Sequence, residues 1–354
     1  MAVNPDFWRD RRVFLTGHTG FKGGWLALWL HRLGARVHGY ALEAEGESSL
    51  WRATALEPLL DSRIADIRDS QRLRQSLCKA RPEIVFHLAA QPLVRASYRE
   101  PLDTYSTNVM GTANLLEAVR ACPEVRAVVV VTTDKCYENR EWLWPYRETD
   151  ALGGHDPYSS SKACAELVCA AYRTSFLAAR SVGLATARAG NVIGGGDWSA
   201  DRLVPDALHA WSQGREVVLR HPGATRPWQH VLDPLAGYLG LAEALWTSPA
   251  EHARAWNFGP DAGGVRSVGE VVEGLATHWP AAAPWRVEAD GTLHEATRLT
   301  LDSSLARTQL GWVPRWNLDE ALRRTCAWQR AWLDGQDMQA FSQRQIDDYQ
   351  GEVQ

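Results

Sequence analysis

The run Thr16-Gly17-His18-Thr19-Gly20-Phe21-Lys22-Gly23 constrains this chain more than any other stretch. It follows an apolar, strand-like Val13-Phe14-Leu15 and opens a helix-like run from Trp25 to Leu33, which Gly34 can end. Gly17 allows a sharp turn, Gly20 lets backbone approach a pyrophosphate, and Gly23 lets the helix pack closely on the sheet. The helix N-terminus then turns unpaired N–H groups and the positive end of its dipole toward the phosphates. The spacing is G-x-x-G-x-x-G rather than G-x-G-x-x-G.

The first half alternates strand-like and helix-like segments. Strands are expected at Val13–Thr16, Arg36–Tyr40, Ile84–Leu88 and Ala127–Thr132, with a shorter one near Arg63–Ala65 and another at Leu184–Arg188. Val128-Val129-Val130-Val131 suits a strand buried on both faces of a parallel sheet. Helices are expected at Thr107–Arg120 and Tyr158–Ala179. This is the signature of a Rossmann-type doubly wound α/β sheet, which holds ligands at the C-terminal ends of its strands. The glycine loop, Ala89-Ala90-Gln91 and Thr132-Thr133-Asp134-Lys135 all fall at such ends. After the loop signal Gly190–Trp198 the alternation decays. Residues 1–190 are therefore expected to form mainly the dinucleotide-binding domain, and 191–354 mainly a smaller lobe. The polar tail from Gly335 to Gln354 is compatible with a terminal helix or a frayed end.

Length and composition narrow the function classes. With 354 residues, 45% of them hydrophobic, the chain can bury a full core. A formal charge of −4, with no Lys/Arg run, argues against a nucleic-acid surface. No apolar stretch approaches the ~20 residues that span a bilayer, and Asn4, Asp6, Arg9 and Asp10 interrupt any leader-like N-terminus. Six cysteines show no metal-ligand spacing, which fits free thiols in a reducing cytosol and no metal site. Most of the seventeen tryptophans are expected in the core or between lobes.

Tyr158 and Lys162 stand four apart in a helix-compatible stretch and so share a face. An ammonium beside a phenol stabilises the phenolate, making the tyrosine a usable base near neutral pH. Alone, such a pair equally describes a helix face with a half-buried tyrosine.

Together with the glycine loop, on a chain of this length, the pair resembles the extended short-chain dehydrogenase/reductase superfamily, whose members mostly act on nucleotide sugars. Thr133-Asp134-Lys135-Cys136-Tyr137 and Arg226-Pro227-Trp228-Gln229-His230-Val231 resemble its CDP-glucose 4,6-dehydratases, and the likeness runs to Leu310-Gly311-Trp312. The superfamily weaves its smaller lobe from discontinuous segments, so some later residues are expected back in the first domain.

On the cofactor side the resemblance implies NAD, held by Gly17, His18, Gly20, Phe21, Lys22 and Gly23. It implies further contacts from Asp66 (to the adenine amine), Ile67, Ala89, Ala90, Gln91, Thr132, Tyr158 and Lys162. Asn108 resembles an asparagine that pins the central strands. No acid stands at the tip of the second strand to select the NAD ribose, Glu43 being late, and His18 and Lys22 add positive character that would tolerate a 2′-phosphate.

A 4,6-dehydratase moves hydride from sugar C4 to NAD, loses water across C5–C6 and returns the hydride to C6. The resemblance makes Tyr158 the base at the C4 hydroxyl, with Lys162 lowering its pKa and Thr133 bonding the same hydroxyl. Asp134 would protonate the departing C6 hydroxyl, which requires burial to raise its pKa. Lys135 stands where dTDP-glucose and GDP-mannose dehydratases carry glutamate as the C5 base. It would act as a neutral amine, its pKa pushed down by Lys162 and the cationic nicotinamide, or stay charged and stabilise the enolate.

For the nucleotide sugar, Arg226 is the first candidate at the diphosphate. Asn191, Arg188, Arg220 and His294 follow, and the run Gln91–Tyr98 with Arg95 and Ser97 flanks the sugar. Leu301-Asp302-Ser303-Ser304-Leu305 lacks a lysine that relatives often carry there. Cys136, His87 and His155 read as structural. A homodimer or higher homo-oligomer through helices 107–120 and 158–179 is implied by the resemblance only. Three rivals stand: a nucleotide-sugar 4-epimerase, which would need no acid and base at 134–135, a dehydratase of another nucleotide sugar, and an NAD-binding regulator without turnover.

Overall fold

The computed structural model describes residues 3–46, 48–280, 282, 284–288 and 296–351. Apolar runs build its central sheet, since strands covered on both faces need no polar alternation. Six strands come from the first half: β1 (Arg12–Thr16), β2 (Arg36–Ala41), β3 (Asp61–Ile64), β4 (Ile84–His87), β5 (Ala127–Val131) and β6 (Gly183–Ala189). β7 (Asn191–Ile193), β8 (Val217–Leu219) and β9 (Thr225–His230) lie outside that sheet, β10 (Ala255–Phe258) returns to it, and β11 (Val265–Ser267) and β12 (Trp285–Val287) leave it again.

The seven-stranded order is β10-β6-β5-β4-β1-β2-β3, parallel throughout. β1 pairs with both β2 and β4, so the chain reverses direction across the sheet there and a crevice opens beyond the C-terminal ends. The smaller sheets, β11-β9-β7 and β12-β8, stand over that edge.

The expected strands appear with ends shifted by up to two residues. β10 was not expected as a sheet strand: Ala255-Trp256-Asn257-Phe258 carries a polar residue and gains its place only by pairing with β6. The glycine-loop helix, Phe21–Arg32, starts four residues before Trp25, and Gly34 follows its end with φ +79°. The helix expected at 107–120 is regular over Gly111–Arg120, and the one at 158–179 over Pro157–Tyr172, where Asp156 caps the start by accepting from the Ser159 N–H. The tail forms a helix, Met338–Gly351, docked by a 2.8 Å bond from the Tyr349 hydroxyl to Asp233. Tryptophans 8, 25, 29, 256, 312 and 328 are fully buried, as filler should be, whereas Trp144 is exposed.

One buried ion pair fixes the Pro157–Tyr172 helix to the sheet. Glu166, one turn beyond Lys162, accepts from the Thr132 hydroxyl (2.5 Å) and Arg188 Nε (3.0 Å) on Oε1, and from the Thr186 hydroxyl (2.7 Å) and an Arg188 terminal nitrogen (2.8 Å) on Oε2. Both side chains are 3% exposed. Burial alone would raise the Glu166 pKa, but Arg188 and the two hydroxyls hold it below the carboxylate range. Arg188 also donates to the Tyr137 hydroxyl (2.9 Å) and the Glu148 carbonyl (3.2 Å). The expectation that Arg188 meets substrate is therefore corrected: its guanidinium is turned into the core and engaged there.

Removing one partner strands the other charge out of water. Arg188→Met should lower stability by about 3–5 kcal/mol in urea unfolding, and the double variant Glu166→Leu/Arg188→Met should recover most of that loss.

Candidate active site

The glycine loop is shaped for a dinucleotide. Gly17 takes φ +76°, and a Cβ there would lie 2.7 Å from the Ala89 nitrogen; one on Gly23 would lie 2.0 Å from the Gly17 oxygen. A Cβ on Gly20 would meet only the Gly17 oxygen, at 3.4 Å, so its outer face is open. Gly20 is the helix N-cap, no side chain caps it, and the first turn carries no acid. Open N–H groups at the end of a twelve-residue helix fit a pyrophosphate, with Phe21 and Lys22 as the backbone that would hold it, the Gly20 N–H being bonded to the Gly17 carbonyl at 3.1 Å. The Thr16 hydroxyl accepts from Leu88 and Ala89 N–H (both 3.1 Å), tying β1 to the small residues Ala89 and Ala90.

Other cofactor-side residues are placed less directly. The Asp66 carboxylate follows β3 but is bonded by the Arg68 N–H and guanidinium, which hold its pKa down. Ile67 packs its side chain into the core against Gly111. Gln91 turns its amide back onto Leu93 and Thr104, while its N–H bonds Asn108; it shapes the loop rather than facing the cleft. Asn108 also bonds Ser161, linking that loop to the Tyr158 helix.

The expectation of positive character from His18 is overturned. Its ring lies under Gly39 and beside Trp51, bonded to Ser62, and burial lowers its pKa to about 4, so it is neutral. Lys22 points elsewhere than expected: it lines the main cavity, where Asp134, Asp197, Lys162 and Arg202 are its charged neighbours. Burial, then Arg202 and Lys162, bring its pKa down to about 8.

That cavity, about 690 Å³, joins the C-terminal ends of β5 and β6 to the smaller sheets. Thr132, Thr133, Asp134, Lys135 and Tyr158 line it, and Lys162 is buried behind, its Nζ donating to the Val131 carbonyl (3.2 Å). The Thr133 hydroxyl bonds both the Tyr158 phenol and Asp134 Oδ1, the latter at 3.0 Å. Asp134 is 2% exposed, and its Oδ2 is buried with no hydrogen-bond partner. Burial raises its pKa against the opposing pull of Lys135, Thr133, Arg226 and Lys22, which favours the protonated carboxyl.

Tyr158 departs from expectation. Burial pushes its phenol up to about 12, and Lys162, itself brought down to about 8 by burial, does not offset this. A depressed tyrosine pKa therefore has to come from a further cation in the cavity. Cys136 is fully buried, with its thiol pushed up, and His87 is neutral between Thr16 and Thr112; both are packing groups. His155 instead stands exposed on the cavity wall.

On the opposite wall the cavity brings together Arg95, Asn191, Arg220 and Arg226. Arg226 donates to the carbonyls of Thr225 and Ala296. Arg95 and Arg220 both approach Asp201, at 3.7 and 3.2 Å. Ser97 is not part of this wall: it is fully buried and donates to the Val94 carbonyl, because the helix it sits on turns that side inward. His294 lies outside the described residues. Sequence reasoning missed Asp197, Asp201, Arg202 and Asp206 on this wall. Their signal was present: after Gly194-Gly195-Gly196, charged residues precede the apolar Leu203-Val204 and Ala207-Leu208 pattern of a helix start.

Comparison with known proteins agrees with this arrangement. The chain matches the GDP-mannose 4,6 dehydratase family over residues 14–325. It is 51% identical over 352 residues to the CDP-glucose 4,6-dehydratase of Salmonella typhimurium, covering 98% of each chain. The structure superposes on a UDP-glucose-4-epimerase from Stenotrophomonas maltophila, solved with NAD and a UDP-sugar, with TM-score 0.80, 23% identity and 92% and 99% of the two chains covered. It also superposes on the dTDP-glucose 4,6-dehydratase of Bacillus anthracis, solved with NAD, with TM-score 0.77, 20% identity and coverage of 92% and 98%. By sequence over nearly its whole length, the chain belongs to the GDP-mannose 4,6 dehydratase family of Rossmann-fold enzymes.

Proposed function

We propose that this protein is an NAD-dependent CDP-glucose 4,6-dehydratase, forming CDP-4-dehydro-6-deoxy-D-glucose for deoxysugar synthesis. The observation that carries the reading is Asp134: a buried carboxyl whose pKa burial raises, one oxygen unpartnered, hydrogen-bonded through Thr133 to Tyr158. A 4-epimerase has no use for such an acid. The 51% identity to a CDP-glucose 4,6-dehydratase supports the choice of substrate.

NAD, when bound, takes the hydride from sugar C4 and returns it to C6. Tyr158 accepts the C4 hydroxyl proton, and Thr133 bonds that hydroxyl. Lys162 would hold the nicotinamide ribose and, with the charge of bound NAD, would draw the phenol down from about 12. The C4 ketone acidifies the C5 proton, which Lys135 removes as a neutral amine. Asp134 gives its proton to the C6 hydroxyl, which leaves as water. Hydride then enters at C6 and a proton at C5, so the balance is the loss of one water.

Arg226 leads the diphosphate contacts, with Arg95, Arg220 and Asn191 around it. Residues 191–354 supply most of this lobe. Association through helices Gly111–Arg120 and Pro157–Tyr172 is part of the same reading, since Met110, Leu167 and Phe176 on and beside them are exposed in the single chain. Among the described residues no helix is long and apolar enough to cross a membrane, and the six cysteines are free thiols, which suits a reducing cytosol.

Mass spectrometry after incubation with NAD should show CDP-glucose becoming one water lighter without net NADH, while an unchanged mass with inverted C4 would point to an epimerase. Asp134→Asn should lower kcat by about 10²–10⁴-fold with KM little changed. Lys135→Met should abolish exchange of the C5 proton with deuterated solvent; exchange at the wild-type rate would assign the base elsewhere.

A further inference from the structure

The lobe wall of the cavity carries a carboxylate that a diphosphate has no use for. Asp206 lies in the first turn of helix Leu203–Ser212 and is exposed into the cavity. Arg202, the N-cap of that helix, faces the cavity as well, held by Asp197 at 2.9 Å. Residues four apart share a helix face, so the two stand about one turn, or 5.4 Å, apart along the wall. A guanidinium at the positive end of a ten-residue helix belongs with phosphate. One turn further, across a ribose, the next part of a nucleotide to meet the wall is its base.

The opposite side of this stretch fits a base too. Val218 of β8 is an exposed apolar side chain lining the cavity, and Arg220 follows it. The Asp201 N–H bonds the Asp206 carboxyl, which fixes its direction. We propose that Asp206 selects the nucleobase: its carboxylate accepts a hydrogen from the C4 amine of cytosine, where uracil and thymine present a carbonyl oxygen that it repels. This deepens the dehydratase reading and rests on it for the identity of the sugar donor. Enclosure in the cavity, with Asp201 and Asp197 nearby, raises the Asp206 pKa to about 6, so an acceptor dominates at neutral pH.

The test is calorimetric binding of CDP and of UDP to the NAD-loaded protein, wild type and variants, beside the corresponding kcat/KM values for CDP-glucose and UDP-glucose. Wild type should prefer CDP. Asp206→Leu should weaken CDP by about 10- to 100-fold and leave UDP unchanged or improved, and Asp206→Asn should narrow the ratio from both sides. Equal losses for both nucleotides would place the carboxylate on the ribose and overturn the proposal, as would no change for either, or a wild type that binds CDP and UDP alike. Melting temperature and NAD binding, expected unchanged at this exposed helix position, separate these outcomes from misfolding. Because nucleotide binding is read without turnover, a protein that selects CDP yet dehydrates no sugar would sink the dehydratase reading and leave this one standing.

Discussion

The Glu166–Arg188 pair is the interaction on which the site depends. Tyr158 and Lys162 ride on a helix that could slide along the sheet, because its buried face is made largely of small residues such as Ser159, Ser161, Ala163 and Ala165. A carboxylate receiving four bonds from β6 and the end of β5 gives that helix one register. The same pair positions Tyr137, just beyond the Asp134–Lys135 turn, whose hydroxyl donates to Asn257 on β10 (2.7 Å). Helix, turn and returning strand are thus referred to one buried charge pair. An apolar substitute could match its stability but not its directionality.

Burial then sets the chemistry of the chamber. It raises the acid and the phenol and lowers two lysines, so these four groups move toward their neutral forms: Asp134 and Tyr158 up, Lys162 and Lys22 to about 8. Groups moved toward their switching points suit a reaction whose ligands bring their own charges. Two diphosphates and a cationic nicotinamide would enter a cavity whose own ionisation is poised rather than committed, so binding and protonation are coupled. The expectation that Lys162 would lower the tyrosine is not met because burial of the phenol dominates its surroundings.

Much of the fold was legible because its signals are local. The glycine loop, the valine run of β5 and the helix stop at Gly34 each act within a few residues, and the structure realises them. β10 was not legible, since its place depends on a partner strand nearly seventy residues away in sequence. Thr133, Asp134, Lys135 and Tyr158 line one cavity, a grouping that the family resemblance rather than any spacing suggested. The misreadings fall on charged side chains whose direction only packing decides. Arg188, Arg220 and Arg226 look alike in sequence, yet the first is spent on Glu166 while the others face the cavity. His18 reads as a cation beside a phosphate loop, but Gly39 opens a niche for its ring and removes it from water.

The wall that reads the nucleotide obeys a different logic from the chamber that does the chemistry. A cleft for a dianion would be simplest lined with cations, yet Asp197, Asp201 and Asp206 are interleaved with Arg95, Arg202 and Arg220. Uncompensated arginines would repel one another and hold any phosphate without regard to what is attached. Each carboxylate that pairs an arginine fixes its guanidinium in direction, and so turns general attraction into a position for the phosphates. Asp201 does this for two arginines at once, from a backbone at φ +62° in the loop that joins the apolar strand end to the helix. In the proposed reading those pairs set the phosphates and the base meets the next turn of the helix, where a carboxylate discriminates not by adding affinity but by making a carbonyl oxygen costly.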